Sequence, residues 1–240
     1  MPHYRDEGIV LRTHKLGEVD RILTILTKEH GQIRAVAKGV RKTSSRFGAR
    51  LEPFMVCDLQ LYEGKNLDTV SQAEQLASYG SNIVSDYPRY TAACAMVEAA
   101  ERLTRESSNA QQYLLLLGGL RTLASGAQES DQVLDSYLLR SLALSGWVPE
   151  LTICHDCKSE EPVYFSVHTG FVSCADCNIP GAVKLGKMGL KHLQALLAGD
   201  WDAVGSAQEQ VRKSASSVIA AYLQWQLERG LRAMSLVERN

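Results

Sequence analysis

Six cysteines occur in the chain, and four of them form two pairs, Cys154-His155-Asp156-Cys157 and Cys174-Ala175-Asp176-Cys177, with sixteen residues between the pairs. A two-residue gap lets both thiolates of a pair reach one ion from a tight knuckle, and two knuckles complete a tetrahedron. Zinc suits that geometry because it has no redox chemistry of its own and no directional preference from its d-electrons. Four protein ligands leave no position for a reacting water, so the chemistry expected of Cys154, Cys157, Cys174 and Cys177 is structural rather than hydrolytic. Each pair also has the spacing of a thioredoxin-like redox couple, but two pairs at this separation fit a zinc ribbon better. His155 or His168 could replace a thiolate, and a disulfide framework is the remaining option. Cys57 and Cys94 stand alone in apolar stretches and read as buried thiols.

A second set of residues could bind rather than react. Between His30 and Leu51 there is no carboxylate, while Arg34, Lys38, Arg41, Lys42, Arg46 and Arg50 all occur. In a strand, Arg34 and Lys38 share a face with Val36 between them, leaving Ile33, Ala35 and Ala37 for the other face. Residues 39–48, with Gly, Ser and Lys, read as a mobile loop. Such a patch can neutralise phosphates without reading bases. Phe47 and Phe54 are possible stacking platforms, although the core is the favoured place for Phe54. The competing reading is a solvated, charge-rich loop.

No catalytic centre is visible. The chain lacks His-Glu-x-x-His and Gly-x-Ser-x-Gly, and Gly181-Ala182-Val183-Lys184-Leu185-Gly186-Lys187 fits a phosphate loop only until Met188 stands where Ser or Thr is needed. That segment reads as a linker, and the expectation is a protein that is not an enzyme.

The elements that position these residues fall into two kinds. Residues 8–13, 22–27, 33–38, 54–61 and 67–71 are short β-rich runs separated by turn signals such as Lys28-Glu29-His30-Gly31 and Glu63-Gly64-Lys65-Asn66. Five strands of this length suit a small closed barrel of the OB type. After Pro88 the period becomes helical, over the stretch from Tyr90 and over 110–124, 131–144, 188–197 and 207–236. Ser107-Ser108-Asn109 and Glu129-Ser130 supply capping types, and Gly146 before Pro149 ends the third helix. Val211, Val218, Tyr222, Trp225 and Leu231 could form an apolar stripe on the last helix, most simply as core. Within the cysteine region, 163–167 and 171–173 read as strands around His168-Thr169-Gly170, giving knuckle, hairpin, knuckle. An insert that small cannot order itself by burial alone, so metal binding supplies folding free energy. The expected class is α+β: an OB-fold barrel at 1–80, then an all-α domain at 81–150 and 181–240 interrupted by the zinc ribbon at 151–180.

Composition is ordinary for a globular protein, with 45% hydrophobic and 22% charged residues and a formal net charge of −1. Residues 1–80 hold 12 Lys+Arg against 10 Asp+Glu, and 81–240 hold 14 against 17, so any basic site must be local. No apolar run approaches the roughly 18 residues of a membrane span. The N-terminus lacks the apolar segment of a signal peptide. The expected compartment is the reducing cytoplasm, where disulfides rarely persist.

Taken together, these residues resemble the RecO family of recombination mediators in bacterial DNA repair. The likeness rests on Gly17-Glu18-Val19-Asp20-Arg21, Leu26-Thr27, the run from Gly31 through Lys38-Gly39-Val40-Arg41-Lys42, Ser45-Arg46-Phe47 and Leu51-Glu52-Pro53-Phe54. It continues through both cysteine pairs, Leu196-Leu197-Ala198-Gly199-Asp200 and Leu231-Arg232-Ala233-Met234. The resemblance implies a nucleoid-associated cytoplasmic protein that binds single- and double-stranded DNA and anneals complementary strands. It implies further that the protein works with RecR to load RecA onto strands covered by single-strand-binding protein, without nucleotide hydrolysis. Some members lack the cysteines, so zinc is implied to be a structural device. DNA contact carries over onto Lys38-Gly39-Val40-Arg41-Lys42. A competing reading is a sequence-specific regulator that reads DNA through the ribbon. Lys158 against Asp156, Glu160, Glu161 and Asp176 makes that ribbon a poor match for phosphates. A zinc enzyme acting on nucleic acid would need an open metal position.

Overall fold

A computed structural model describes residues 2–105, 110–178, 180–228 and 230–237. Five strands come first: β1 (His3–Leu16), β2 (Asp20–Thr27), β3 (Gln32–Ala37), β4 (Met55–Tyr62) and β5 (Asp68–Ser78). They pair in the circuit β1-β2-β3-β5-β4, which closes through β1 and β4. Only β3 and β5 run parallel, and that seam is thin, with Ala35 opposite Asp68 and Val36 opposite Thr69. The architecture is the OB-type barrel that the strand spacing predicts.

Strand β1 runs well beyond the apolar stretch at 8–13 because it serves two neighbours. His3 to Ile9 pair with β4, Gly8 to Leu16 pair with β2, and a bulge lies between Val10 and Arg12. A bulge bends its strand and increases the twist, which is what carries β1 around the barrel. At the changeover only glycine fits: a Cβ on Gly8 would lie 2.6 Å from Cγ2 of Ile25 and 3.1 Å from Cδ1 of Leu59. Two residues earlier, buried Asp6 accepts hydrogen bonds from the backbone N–H groups of Glu29 and His30, each at 3.1 Å, and meets His30 Nδ1 at 2.7 Å. A buried carboxylate is tolerated only when such donors replace water, and here they lock the β2–β3 turn onto β1.

The barrel is filled by Val10, Leu23, Ile25, Leu59, Leu61 and, at one end, Phe47. Phe47 is 1% exposed and therefore offers no face to a base. The cause is local: the 3₁₀ turn Gly48–Leu51 buries Leu51 and carries its neighbour Phe47 inward. Phe54 is buried as expected, but in the core shared with the helices.

Beyond the barrel lie α1 (Gly80–Val84), α2 (Tyr87–Leu103), α3 (Ala110–Ser125), α4 (Ser130–Leu144), α5 (Gly186–Ala198), α6 (Trp201–Gly205) and α7 (Glu209–Gln226). Helix α2 is capped by Asp86, whose side chain accepts from Arg89 N, and Pro88 occupies its first turn. Small side chains, Ala92, Ala93, Ala95, Ala99 and Ala100, bury completely and let α2 sit between the barrel and α4. Ile9, Leu11 and Leu26 from the barrel wall join the same core.

Several expectations shift. The caps at 107–109 lie outside the described residues, and Glu129 occupies the cap position of α4 without a side-chain hydrogen bond. The helix expected over 207–236 ends at Gln226, and the chain returns through a 3₁₀ turn, Ala233–Leu236. Glu228 has φ 56°, which an α-helix cannot continue through. The apolar stripe therefore stops at buried Tyr222: Trp225 is 51% exposed, and buried Leu231 lies past the helix. Glu98 accepts from the backbone N–H groups of Arg232 and Ala233, and Arg102 donates to Gly230 O, pinning the returning segment to α2. The ribbon strands are short, β6 (Tyr164–Phe165) and β7 (Val172–Ser173), and a third, β8 (Val183–Lys184), pairs with β6. The segment 181–187 is thus not a free linker: Val183 and Lys184 extend the ribbon sheet, and Gly186 and Lys187 begin α5.

Phe47→Ala is expected to lower stability by about 3–5 kcal/mol, the cost of deleting a fully buried aromatic ring. A urea unfolding midpoint measures it, and a near-neutral change would return Phe47 to the surface.

Candidate metal centre and nucleic-acid interface

The ribbon brings the four predicted thiols together. The Sγ atoms of Cys154, Cys157, Cys174 and Cys177 all lie within 4.8 Å of one another, with Cys157 and Cys174 3.7 Å apart. A tetrahedron with Zn–S bonds of about 2.3 Å has S–S edges of about 3.8 Å, so the cage has the right dimensions. All six cysteines are free thiols, which excludes the disulfide option in this structure. Cys57 is buried, whereas Cys94 is only half-buried.

Backbone geometry shapes the first knuckle. Cys154 N donates to Ser159 O at 2.8 Å, Lys158 N donates to Cys154 O at 3.0 Å, and Lys158 takes a left-handed φ of 61° to make the turn. Backbone N–H groups of Cys157 and Cys174 point at the Cys154 thiol and draw its pKa down to about 6. Contacts with Cys157 and then Cys174 push Cys177 up to about 12. Four thiols this close repel one another once ionised, and a divalent cation is what such a donor set would hold. The residues present can hold a metal ion, and their all-sulfur character suits zinc. Neither histidine joins them: the ring of His155 stacks on Phe171 at 4.0 Å, and that of His168 meets Trp225 edge-on at 4.1 Å.

The ribbon is seated on the helical domain. Phe165 packs edge-on against Tyr222 of α7 at 5.5 Å. Gly170, at φ 74°, lies where a Cβ would come within 2.6 Å of the Tyr222 hydroxyl. That hydroxyl donates to Trp147 O at 3.3 Å, and Glu150 N donates to Gly170 O at 2.9 Å.

The basic segment lies elsewhere, on the barrel. Ala35 and Ala37 point inward while Arg34 and Lys38 are exposed, as the alternation requires. The loop after β3 is tied down: Gly39 N donates to Asp20 Oδ1 at 2.7 Å, Arg41 N to Val19 O at 3.0 Å, and Arg41 Nη1 to Glu18 O at 2.8 Å. Arg46 lies over the edge of the core at 4.9 Å from the Phe47 ring, and Arg50 Nη1 donates to Ala73 O at 3.1 Å. Among the described residues, none of Arg34, Lys38, Arg41, Lys42, Arg46 and Arg50 has a carboxylate partner, whereas Arg5, Arg12 and Arg21 do. Six cations that no carboxylate offsets are an electrostatic footprint for phosphates.

The structure does not gather all six into one patch. Arg46 and Arg50 line a polar groove of about 560 Å³ on the wall made by β1, β4 and β5, together with Arg5, Gln60, Ser71 and Gln72. Arg34, Lys38, Arg41 and Lys42 do not line it. Arg5 is a residue that sequence reading missed, because the polar start of β1 carries no apolar signal. Its charge is largely offset by a bidentate pairing with Asp58, which holds that carboxyl below the usual range.

A closed five-strand barrel with unpaired surface cations, fused to a helical domain that carries a four-thiol cluster, defines a two-part protein of the barrel-plus-helices class. Residues 1–79 match the family model "Recombination protein O N terminal", and residues 84–235 match "Recombination protein O C terminal". The DNA repair protein RecO of Thermobifida fusca is 52% identical over 242 residues, covering 100% of both chains. That of Nocardioides sp. is also 52% identical, over 98% of this chain and 99% of its own, and that of Streptomyces avermitilis is 49% identical over 100% of each. The chain belongs to the RecO family of DNA repair and recombination proteins. Among the described residues, no helix is long and apolar enough to cross a membrane.

Cys154→Ala, or removal of metal by a chelator, is expected to reduce bound zinc from one ion per chain to near zero and to lower the thermal midpoint. Metal analysis and a melting curve, run beside a DNA-binding titration, check it. DNA affinity lost in step with zinc while the chain stays folded would contradict a purely structural site.

Proposed function

We propose that this chain is a recombination mediator that binds single- and double-stranded DNA through the barrel and anneals complementary strands. It would then assist RecA loading, together with RecR, on strands covered by single-strand-binding protein. One observation carries the DNA part of the reading: the six cations between Arg34 and Arg50 all lack carboxylate partners among the described residues. Family membership carries the rest, including the expectation that no nucleotide is hydrolysed and that the protein is not an enzyme. The division of labour follows the sequence: residues 1–80 contact DNA, while the helical parts at 81–150 and 181–240 and the ribbon at 151–180 form the platform behind them.

Annealing requires binding that is strong yet indifferent to base identity, so that two strands can search for register. Contacts from Arg and Lys to phosphates meet that requirement, because they fix position without reading sequence. Helix α2 packs on part of the β1–β2 wall, which favours a path for the strands over the outer face of β3 and the groove that Arg46 and Arg50 line. Zinc, held by the four cysteines, would order the ribbon and take no part in contact with DNA. Phe47 contributes no stacking, so phosphate contacts bear most of the affinity.

Replacing Lys38, Arg41, Lys42 and Arg46 together by Ala is expected to weaken binding to unrelated sequences alike. If those four contact four phosphates, the slope of log affinity against log salt for single strands should flatten by about 3. Titrations over a salt series test this, beside strand-annealing assays with and without single-strand-binding protein. Unchanged affinity would move the site off this segment, and failure to accelerate pairing under any condition would remove the annealing activity. A footprint confined to one sequence would favour a regulator.

A further inference from the structure

Within the basic segment, residues 42–45 form a tight turn. Ser45 N donates to Lys42 O at 2.9 Å, which puts Thr43 and Ser44 at the two central positions. Both are exposed. The turn is held from either side. Before it, Lys42 N donates to Gly39 O at 3.1 Å and the Arg41 guanidinium donates to Glu18 O at 2.8 Å. After it, Ser45 Oγ accepts from Phe47 N at 3.2 Å, and buried Phe47 anchors the chain in the barrel. Among the described residues the hydroxyls of Thr43 and Ser44 have no hydrogen-bond partner, whereas that of Ser45 has one.

An alcohol at the tip of a surface loop is one that an outside enzyme can reach. The surroundings of Ser44 say which kind. Arg41 and Lys42 precede it by three and two residues, Arg46 follows it by two, and no carboxylate occurs between His30 and Leu51. Asp20, which does reach the loop, is taken up by Gly39 N at 2.7 Å. A phosphoryl group on Ser44 would therefore meet cations that have no anion of their own. Thr43 is less well placed: it adjoins Lys42 but stands three residues from Arg46, whereas Ser44 lies midway between the two. An acidic substrate groove selects a segment of this kind by its charge pattern.

We propose that Ser44 is a phosphorylation site for a protein kinase that recognises basic residues ahead of its acceptor, and that the phosphate turns off the basic segment. Ser44 Oγ attacks the γ-phosphorus of a nucleoside triphosphate held by the kinase. The bond from that phosphorus to the oxygen of the β-phosphate breaks, the nucleoside diphosphate leaves, and the hydroxyl proton passes to a carboxylate of the kinase. The product carries a charge of about −1.5 to −2 at neutral pH. It accepts charge-assisted hydrogen bonds from Lys42 and Arg46 and so withdraws about two of the unpaired cations from DNA. That effect rests on the binding role proposed for this segment, and the acceptor role of Ser44 does not.

The test is incubation of the full chain with adenosine triphosphate and the catalytic subunit of a cyclic-AMP-dependent protein kinase, which selects basic segments, followed by mass-spectrometric mapping. A single phosphoryl group on Ser44 is expected. It should be lost in Ser44→Ala and kept in Thr43→Ala, and Arg41→Ala with Lys42→Ala should slow its incorporation about tenfold or more. Single-strand titrations over a salt series then compare the phosphorylated chain, the same chain after phosphatase treatment, and Ser44→Glu. Withdrawing two cations should flatten the slope of log affinity against log salt by about 1.4 and weaken binding about tenfold at physiological salt. Ser44→Glu should flatten it by about half as much, and phosphatase should restore the parent value. Ser44 is already in water, so melting curves matching the parent separate lost charge from lost folding. No incorporation into the folded chain, or incorporation at another residue instead, would overturn the acceptor assignment. Unchanged DNA affinity after phosphorylation would overturn the switch. If the Lys38, Arg41, Lys42 and Arg46 variant still loses affinity in that case, the barrel's role with DNA stands without the switch; if it does not, both fall.

Discussion

Strand β1 is buried on both faces over three residues: Val10 fills the barrel, while Ile9 and Leu11 join the core around α2. Much of the rest depends on that double burial. It fuses the barrel to the helical domain through side chains rather than through a linker, and it covers the part of the β1–β2 wall around Ile9, Leu11 and Leu26 while Arg12, His14, Lys15 and Leu16 stay exposed. The strand can change partners from β4 to β2 only because Gly8 has no side chain and the bulge after Val10 supplies the bend. The barrel surface left open includes the outer face of β3 and the β4–β5 wall. The unpaired cations lie on or next to those parts.

Charge is distributed with the same selectivity. Cations that pack against the framework have partners: Arg21 with Glu52, Arg12 with Glu101, Arg102 with Glu98. Those pairs are partly exposed, and each adds little stability by itself. Their effect on the surface potential is larger, because they cancel charge wherever the chain needs packing and leave it free from Arg34 to Arg50. A formal net charge of −1 is compatible with binding a polyanion for that reason.

What could be read from the sequence follows from how local each signal is. The thiol cage depends on spacing within two short segments, and it formed as read. The five strands were legible from alternation, but the ends of β1 and β5 were not. His3 to Glu7 pair with β4 alone, and the second half of β5 is largely exposed, so neither carries an apolar pattern. Strand β8 was hidden because Val183 and Lys184 are both exposed and its pairing with β6 spans two residues. Phe47 was misjudged because flanking arginines make its segment look solvated, whereas the turn that buries Leu51 decides the matter. The break after Gln226 carries no proline. It is made by Glu228 in the left-handed region and by the hydrogen bonds of Glu98 to residues far along the chain, which no local window contains.

The ribbon is inserted between two helices of the helical domain and is seated on a third. Each of its ends is tied to its interior by backbone hydrogen bonds: Glu150 N bonds Gly170 O, while Leu185 N and Gly186 N both bond Val163 O. Helices α4 and α5, which the insert separates in sequence, still pack on each other, and Ser136 Oγ donates to Leu196 O at 2.7 Å between them. The Phe165–Tyr222 contact and the seat of Gly170 on Tyr222 anchor the insert to α7, and Gln194 Nε2 of α5 donates to Leu151 O at 2.6 Å. Phe165 and Val172 belong to the helical core, whereas no ribbon residue lines the barrel groove at Arg46 and Arg50, so the ribbon is a clasp on the helices and not a part of the barrel surface.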